Sequence, residues 1–176
     1  MNLFVLDLDP VKAAGMACDR HVVKMPIETA QLLCSAFPAG KTPYRPTHTQ
    51  HPCSLWVRTS PANYAWAVEH GIALAQEYTR RYGKLHATEH VLRTVAALAS
   101  QVPFLAPHRG LTPFALAMPE DLRGADPVAA YQRYYLRDKA AIATWTEPAT
   151  PPVWWTLPVV FHAPTKPKTR GRWKSP

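Results

Sequence analysis

The sequence predicts a mainly α-helical fold, a compact single-domain helical bundle with one short N-terminal strand and long proline-rich loops. The chain has 176 residues, 47% hydrophobic and 18% charged, which suits one globular domain with a true core. At three places a helix-capping residue directly precedes proline. Each pair predicts a helix start, because the cap binds free amides and proline at the first helical position loses no useful donor. The pairs are Asp9-Pro10, Ser60-Pro61 and Asp126-Pro127.

The N-terminal half begins with a predicted strand. Residues 2–8 run from the apolar Leu3, Phe4, Val5 and Leu6 into acids, and we interpret this segment as one short strand. Residues 18–36 have helical periodicity, with Pro26 near the start of the helix or at a kink. The apolar side of this helix is predicted to carry Val23, Ile27, Ala30 and Cys34.

The most regular periodicity follows Ser60 and predicts a helix that ends at Gly83, a typical C-cap. Its apolar positions are Tyr64, Ala67, Val68, Ile72, Ala75 and Tyr78. Two further helices are predicted, one from about Thr88 to Leu98 and one from Asp126 to Ile142. The loops 37–59 and 102–125 are longer than connection requires, and loops of this length often carry function.

Positive charge is concentrated at the C-terminus. Lys and Arg number 20 against 12 acidic residues, but five basic residues lie after position 160, where there is no acid. We therefore expect a domain over 1–160 and a flexible basic tail over 161–176, which either docks on phosphates or only aids solubility. The tail's basic residues are Lys166, Lys168, Arg170, Arg172 and Lys174.

The cysteines and the N-terminus favour a cytoplasmic protein. Cys18, Cys34 and Cys53 show no CxxC spacing, so we expect buried, reduced thiols. The start of the chain lacks a basic n-region and reaches an acid at Asp7, unlike a signal peptide. No apolar run reaches membrane-spanning length, and we expect a monomer that needs no cofactor.

His21, Lys24 and Glu28 are spaced i, i+3 and i+7, so they share one face of the predicted helix. An imidazole, an amine and a carboxylate together suit acyl, glycosyl and Schiff-base chemistry. The alternative is a solvated helix face with a weak charge pair.

Cations and aromatic residues in the first long loop suit phosphate contact and base stacking. Tyr44 and Trp56 have the alternative role of covering the core. The histidines match no specific metal-ligand motif, so no metal site is predicted. Together with the tail, the predicted nucleic-acid contacts are Arg20, Arg45, His48, His51, Trp56 and Lys139, the last sharing a helix face with Tyr135.

Four segments resemble the bacteriophage pyrimidine-dimer DNA glycosylases of the endonuclease V type. DRHVVKMPIE is similar to that family's Asp-x-His followed at the same interval by its catalytic Glu, here Glu28. HPCSLW with the long helix after it, MPEDLRGADP and YQRYYLRDKA resemble three later motifs, in the same order, across about residues 3–145. The first part of the chain also resembles uncharacterised phage proteins.

The resemblance implies a DNA N-glycosylase that excises a damaged or modified pyrimidine base from double-stranded DNA, in the host cytoplasm for a phage protein. Strand scission would follow through a Schiff base. Glu28 would stabilise the sugar cation or move protons, and His51 would contact the site. The amine would be Lys24 or the α-amine of Asn2 after removal of methionine. Two alternatives stay open: a nucleotide- or base-modifying transferase on this fold, and a non-enzymatic nucleic-acid-binding accessory protein.

Overall fold

The computed structural model describes residues 1–106 and 110–156, and this part of the chain is mainly helical, as predicted. Short 3₁₀ turns occupy Ala99–Gln101, Glu120–Leu122 and Ala140–Ile142, and Tyr135–Lys139 form a π-helical turn. The α-helices are α1 (Pro10–Met16), α2 (Asp19–Cys34), α3 (Pro52–Val57), α4 (Pro61–Tyr82), α5 (Glu89–Ala97) and α6 (Pro127–Tyr134). The predicted basic tail, with Lys166, Lys168, Arg170 and Arg172, lies outside the described residues.

The three predicted capping pairs are confirmed. The side chains of Asp9, Ser60 and Asp126 each accept hydrogen bonds from free amides of the first turn, and proline follows each of them. A fourth start, at α3, was not predicted: His51 is the cap, and its Nδ1 accepts from the Cys53 N–H at 3.2 Å. Histidine is not among the usual capping residues, so the pattern did not stand out.

The predicted N-terminal strand is wrong. The structure assigns no strand to residues 2–8; Phe4 has a positive φ of 46°, and the Leu6 N–H donates to the Phe4 carbonyl at 2.8 Å in a tight turn. The four consecutive residues 3–6 are all buried. A short apolar run does not distinguish a strand from other buried backbone, and this segment runs through the core with both sides covered.

Helix α2 is rotated relative to the predicted apolar side. Ala30 and Cys34 are buried as expected, but Val23 is 45% exposed and Ile27 40% exposed. Its buried side chains are instead His21, Val22, Met25, Pro26, Thr29, Ala30, Leu32, Leu33 and Cys34. Because α2 packs on α4, α5 and α3 and also meets the N-terminal segment, its buried arc is wide and includes polar positions.

Helix α4 is the central element and packs against α1, α2 and α5. At Gly71, a Cβ atom would lie 2.8 Å from both the Leu92 Cδ2 and the Thr29 Cγ2, so glycine permits the close approach of three helices. The helix ends at Gly83 in the left-handed conformation, with φ of 64°, as predicted.

The predicted C-terminal helix changes pitch after Tyr134. Residues 135–139 form the π-helical turn, and Tyr131 and Tyr135 are fully buried. The chain then returns across the start of α2, where the Asp19 carboxylate accepts hydrogen bonds from Thr144 and Thr146. This contact joins residues more than 120 positions apart.

Cys18, Cys34 and Cys53 are free and buried, as predicted. None of the helices in residues 1–106 and 110–156 combines the length and the apolar character that crossing a membrane requires.

Candidate active site

The N-terminal residues, α2 and the end of α6 enclose a polar pocket of about 210 Å³. The four residues predicted as catalytic, Asn2, His21, Lys24 and Glu28, all line it. Lys139, predicted to bind nucleic acid, lines the side formed by the π-helical turn. Residues far apart in sequence therefore meet in one cavity.

Glu28 is the carboxylate of this pocket, and its side chain is 13% exposed. Its Oε2 accepts from the backbone N–H of Asn2 at 3.2 Å and lies 3.7 Å from the amine of Met1. Its Oε1 lies 3.0 Å from the Lys24 Nζ. Both oxygens are thus held by nitrogen donors, and the carboxylate is kept beside the N-terminal backbone.

Asn2 holds the N-terminal segment in place. Its side-chain Nδ2 donates to the Ala117 carbonyl at 2.7 Å, and its Oδ1 accepts from the Leu3 and Phe4 N–H groups. The side chain is therefore structural, and the backbone nitrogen is the atom presented to Glu28.

The two lysines occupy different parts of the pocket. Lys24 is 70% exposed at the rim, paired with Glu28. The Lys139 Nζ donates to the Tyr134 hydroxyl at 3.2 Å and lies 4.5 Å from the centre of the Tyr134 ring. The prediction had paired Lys139 with Tyr135, but the wider π-helical turn places it over Tyr134 and directs Tyr135 into the core.

His21 is buried at the inner wall. Its Nδ1 is hydrogen-bonded to the Tyr135 hydroxyl, and its ring stacks on Phe4 with centres 4.2 Å apart. Burial lowers the pKa of His21 to about 3, with further lowering from the charges of Lys139 and Lys24. The imidazole is therefore neutral at physiological pH.

His51 lies near this pocket without lining it. Burial lowers the pKa of His51, and the charges of the N-terminal amine and His48 lower it further, while Glu28 acts in the opposite direction. Its Nδ1 is engaged as the cap of α3. His51 therefore lies outside the pocket lining, and in the structure its side chain caps helix α3.

The structure does not support Trp56 as a base-stacking residue. Its ring is buried, stacks on Phe114 and packs edge-on against Trp66, so it belongs to the core. Arg45 and His48 are exposed in the first loop and do not line the pocket. Arg20 is exposed on α2, one turn before Lys24, and does not line the pocket.

Sequence reasoning missed Phe4, Tyr134 and Tyr135 as parts of the site. No local signal in the sequence indicated the change to a π-helical turn that places Tyr134 at the pocket and Tyr135 in the core. Phe4 belonged to the segment taken for a strand, where nothing indicated a positive φ. No group of three or more His, Cys, Asp or Glu side chains in the described residues is arranged to hold a metal ion.

Comparison of the chain with protein-family models, curated proteins and solved structures finds no match. The fold and site define a helical protein with a carboxylate, an uncharged imidazole and two ammonium groups around one pocket. Its function is therefore inferred from this chemistry.

Proposed function

We propose that the protein is a DNA N-glycosylase that excises a damaged or modified pyrimidine base from duplex DNA and then cleaves the strand through a Schiff base. The observation that carries the proposal is the Glu28 carboxylate, mostly buried in a pocket, 3.2 Å from the Asn2 nitrogen and 3.0 Å from the Lys24 Nζ.

Cleavage of a glycosidic bond places positive charge on the sugar ring, and a fixed carboxylate beside the ring stabilises that charge. Glu28 has limited contact with water, so its charge is screened less than that of a surface carboxylate. The same carboxylate accepts the proton that an attacking amine must lose. The pocket therefore contains both groups that the reaction requires.

Two amines are available as the nucleophile. One is the Lys24 side chain, and the other is the α-amine of Asn2, which removal of Met1 would free beside Glu28. In either case the amine nitrogen bonds to C1′ of the sugar as the base departs with the electron pair of the glycosidic bond. The bond from C1′ to the ring oxygen O4′ then breaks, O4′ takes a proton to become a hydroxyl, and the nitrogen is left as the Schiff base at C1′. Loss of a proton from C2′ then expels the 3′-phosphate and cleaves the strand.

Cations around the pocket match the phosphates of a nucleic acid. Lys24 and Lys139 lie on two sides of the opening, and Arg20 extends the positive surface along α2. Lysine and arginine supply most of the sequence-independent affinity for DNA. The pocket would then receive one extruded nucleotide while these cations bind the neighbouring phosphates.

The test is excision from a panel of duplexes that each carry a single lesion or modified base, with and without borohydride. Glu28→Gln keeps the size of the side chain but removes its charge, so we expect excision to fall at least about 100-fold. DNA affinity should change little. Glu69→Gln, which alters an exposed carboxylate of α4, is the matched control.

Borohydride trapping of Lys24→Gln distinguishes the two amines, because the covalent adduct survives if the α-amine reacts and is lost if Lys24 reacts. Intact-mass measurement of the protein shows whether Met1 is removed. Excision by Glu28→Gln equal to wild type would contradict the mechanism. A wild-type protein that cleaves no lesion but acts on free nucleotides without scission would instead indicate a transferase, and binding without reaction an accessory protein.

A further inference from the structure

The two ring nitrogens of His21 have different surroundings. Nδ1 faces the core and is hydrogen-bonded to the Tyr135 hydroxyl. Nε2 has no hydrogen-bond partner among residues 1–106 and 110–156, yet the ring lines the pocket. One nitrogen is therefore committed to the protein and the other is available to a ligand.

The surroundings of Tyr135 determine which nitrogen carries the proton. The backbone N–H and the thiol of Cys18 lie beside the tyrosine oxygen, and burial raises the pKa of that thiol, which keeps it protonated. Sulfur is a weak acceptor and an N–H is none, so the tyrosine proton has its best acceptor in the His21 Nδ1. A neutral imidazole that accepts at Nδ1 carries its own proton at Nε2.

Phe4 fixes the plane of the imidazole. Its ring stacks on His21 with centres 4.2 Å apart and an interplanar angle of 24°, and on Tyr134 with centres 5.8 Å apart and an angle of 19°. Phe4 adopts this placement with a positive φ of 46°, a backbone conformation that is strained in a residue other than glycine. The strain is thus stored at the residue that orients the imidazole.

We propose that Tyr135 and Phe4 are positioning residues that direct the His21 Nε2–H into the pocket, where it donates to the O2 carbonyl oxygen of the pyrimidine being excised. This inference rests on the proposed function and deepens it. When the bond from C1′ to N1 breaks, its electron pair passes to the base and spreads onto O2. A hydrogen bond to O2 therefore strengthens as the bond breaks, with no proton transferred from the imidazole.

The pocket size agrees with this assignment. About 210 Å³ is room for a single base with part of its sugar, and His21 and Glu28 both line this volume. His21 would then stabilise the negative charge that develops on the departing base. Glu28 would stabilise the positive charge that develops on the sugar.

The experiment uses Tyr135→Phe, with Tyr131→Phe as the matched control. Tyr131 is also fully buried, but its hydroxyl bonds to backbone groups: it donates to the Ala115 carbonyl at 2.7 Å and accepts from the Ala117 N–H at 3.3 Å. Both variants lose one buried hydroxyl, so a general loss of stability affects both. Only the Tyr135 variant removes the partner of Nδ1.

The first readout is the ¹⁵N NMR spectrum of the His21 side chain in the full chain. Wild type and Tyr131→Phe should show the tautomer protonated at Nε2, and Tyr135→Phe a mixture of tautomers. Addition of thymidine 5′-monophosphate should shift the Nε2 signal of wild type, and the 2-thio analogue should shift it less, because sulfur is the weaker acceptor. An Nδ1-protonated wild type, or no response to the nucleotide, would overturn the inference.

The second readout is the kinetics of excision. For Tyr135→Phe we expect kcat to fall about 10-fold with KM unchanged, less than the roughly 100-fold that loss of a donor itself costs. Equal kcat in both tyrosine variants would refute the positioning role while leaving glycosylase activity intact. Conversely, the predicted tautomer and nucleotide response in a protein that excises nothing would support the binding geometry and contradict the proposed function.

Discussion

At the scale of single residues, burial keeps the imidazoles of His21 and His70 uncharged at neutral pH, and the two side chains have different roles. His21 lies at the wall of the pocket, whereas His70 is enclosed in the core, stacked on Trp66 with ring centres 4.9 Å apart. Burial lowers the pKa of His70 to about 3, and its Nδ1 has no hydrogen-bond partner in the described residues. The His70 ring thus contributes to core packing, while its buried Nδ1, which has no hydrogen bond there, lowers the stability of the fold.

His70→Phe should reduce the loss of stability in acid. The unfolded chain binds a proton at His70 near pH 6.5, but the folded chain does so only near pH 3, so the free energy of unfolding falls as the pH is lowered through this interval. Phenylalanine keeps the stack and cannot bind a proton. Between pH 7 and pH 5, the free energy of unfolding of His70→Phe should therefore fall by about 2 kcal/mol less than that of wild type.

Urea denaturation at a series of pH values measures this difference. His90→Phe, which makes the same substitution at an exposed position of α5, is the matched control. A His70 variant with the wild-type profile would mean that His70 is protonated within the fold.

At the scale of helices, local chemistry decided where three of them begin, and packing decided which side of a helix is buried. The capping residues before proline located the starts of α1, α4 and α6, because a cap and its amides lie within four residues. The buried arc of α2 was predicted wrongly at Val23 and Ile27. That arc depends on α4 and on the N-terminal segment, which periodicity within α2 does not describe.

Two helical glycines should respond to alanine in opposite directions. At Gly71 the new methyl group would meet Leu92 and Thr29 at 2.8 Å, so we expect a loss of about 2 kcal/mol in the free energy of unfolding. At Gly15, near the end of α1, nothing lies within 4 Å, and alanine should add about 0.5 to 1 kcal/mol through helix propensity.

Chemical denaturation of the two variants checks this pair. Because the substitution is identical, differences in the unfolded chain largely cancel between them. If Gly71→Ala were as stable as wild type, the close approach of α2, α4 and α5 at this point would be wrong.

At the scale of the whole molecule, one buried ion network joins α2, α4 and the C-terminal segment. The side chain of Arg81 is fully enclosed and pairs with Asp19 at 2.9 Å and Glu77 at 2.8 Å, while Thr144 and Thr146 donate to Asp19. Burial alone would raise the pKa of Asp19, but the hydrogen bonds from Thr146, Arg81 and Thr144 outweigh it and lower that pKa. The pKa of Glu77 is likewise lowered, as bonds from Arg80 and Arg81 outweigh its burial.

Arg81→Met should destabilise the protein by about 3 kcal/mol at neutral pH, because it removes the cationic partner of Asp19 and leaves Glu77 with only the half-exposed Arg80. Arg80→Met removes a half-exposed partner of the same Glu77 and should cost less than about 1 kcal/mol. The network's contribution is present above the ordinary pKa values of 3.8 for Asp19 and 4.5 for Glu77, and is lost as the pH falls through their lower folded values.

Urea denaturation at pH 7 and below pH 4 should therefore show a large difference between Arg81→Met and wild type that narrows in acid. An equal effect of the two arginine variants at pH 7 would contradict the assigned geometry, since only Arg81 reaches both carboxylates.

The sequence by itself determined the helical class, the capped starts of three helices, the end of α4 at Gly83 and the shared face of His21, Lys24 and Glu28. These features depend on neighbours within a few turns of the chain. Only the tertiary structure decided that Asn2, Phe4, Tyr134 and Lys139 meet that face around one pocket, and that Trp56 belongs to the core. Contacts between distant segments depend on how helices pack, and packing is a property of the assembled surfaces that no short stretch of sequence contains.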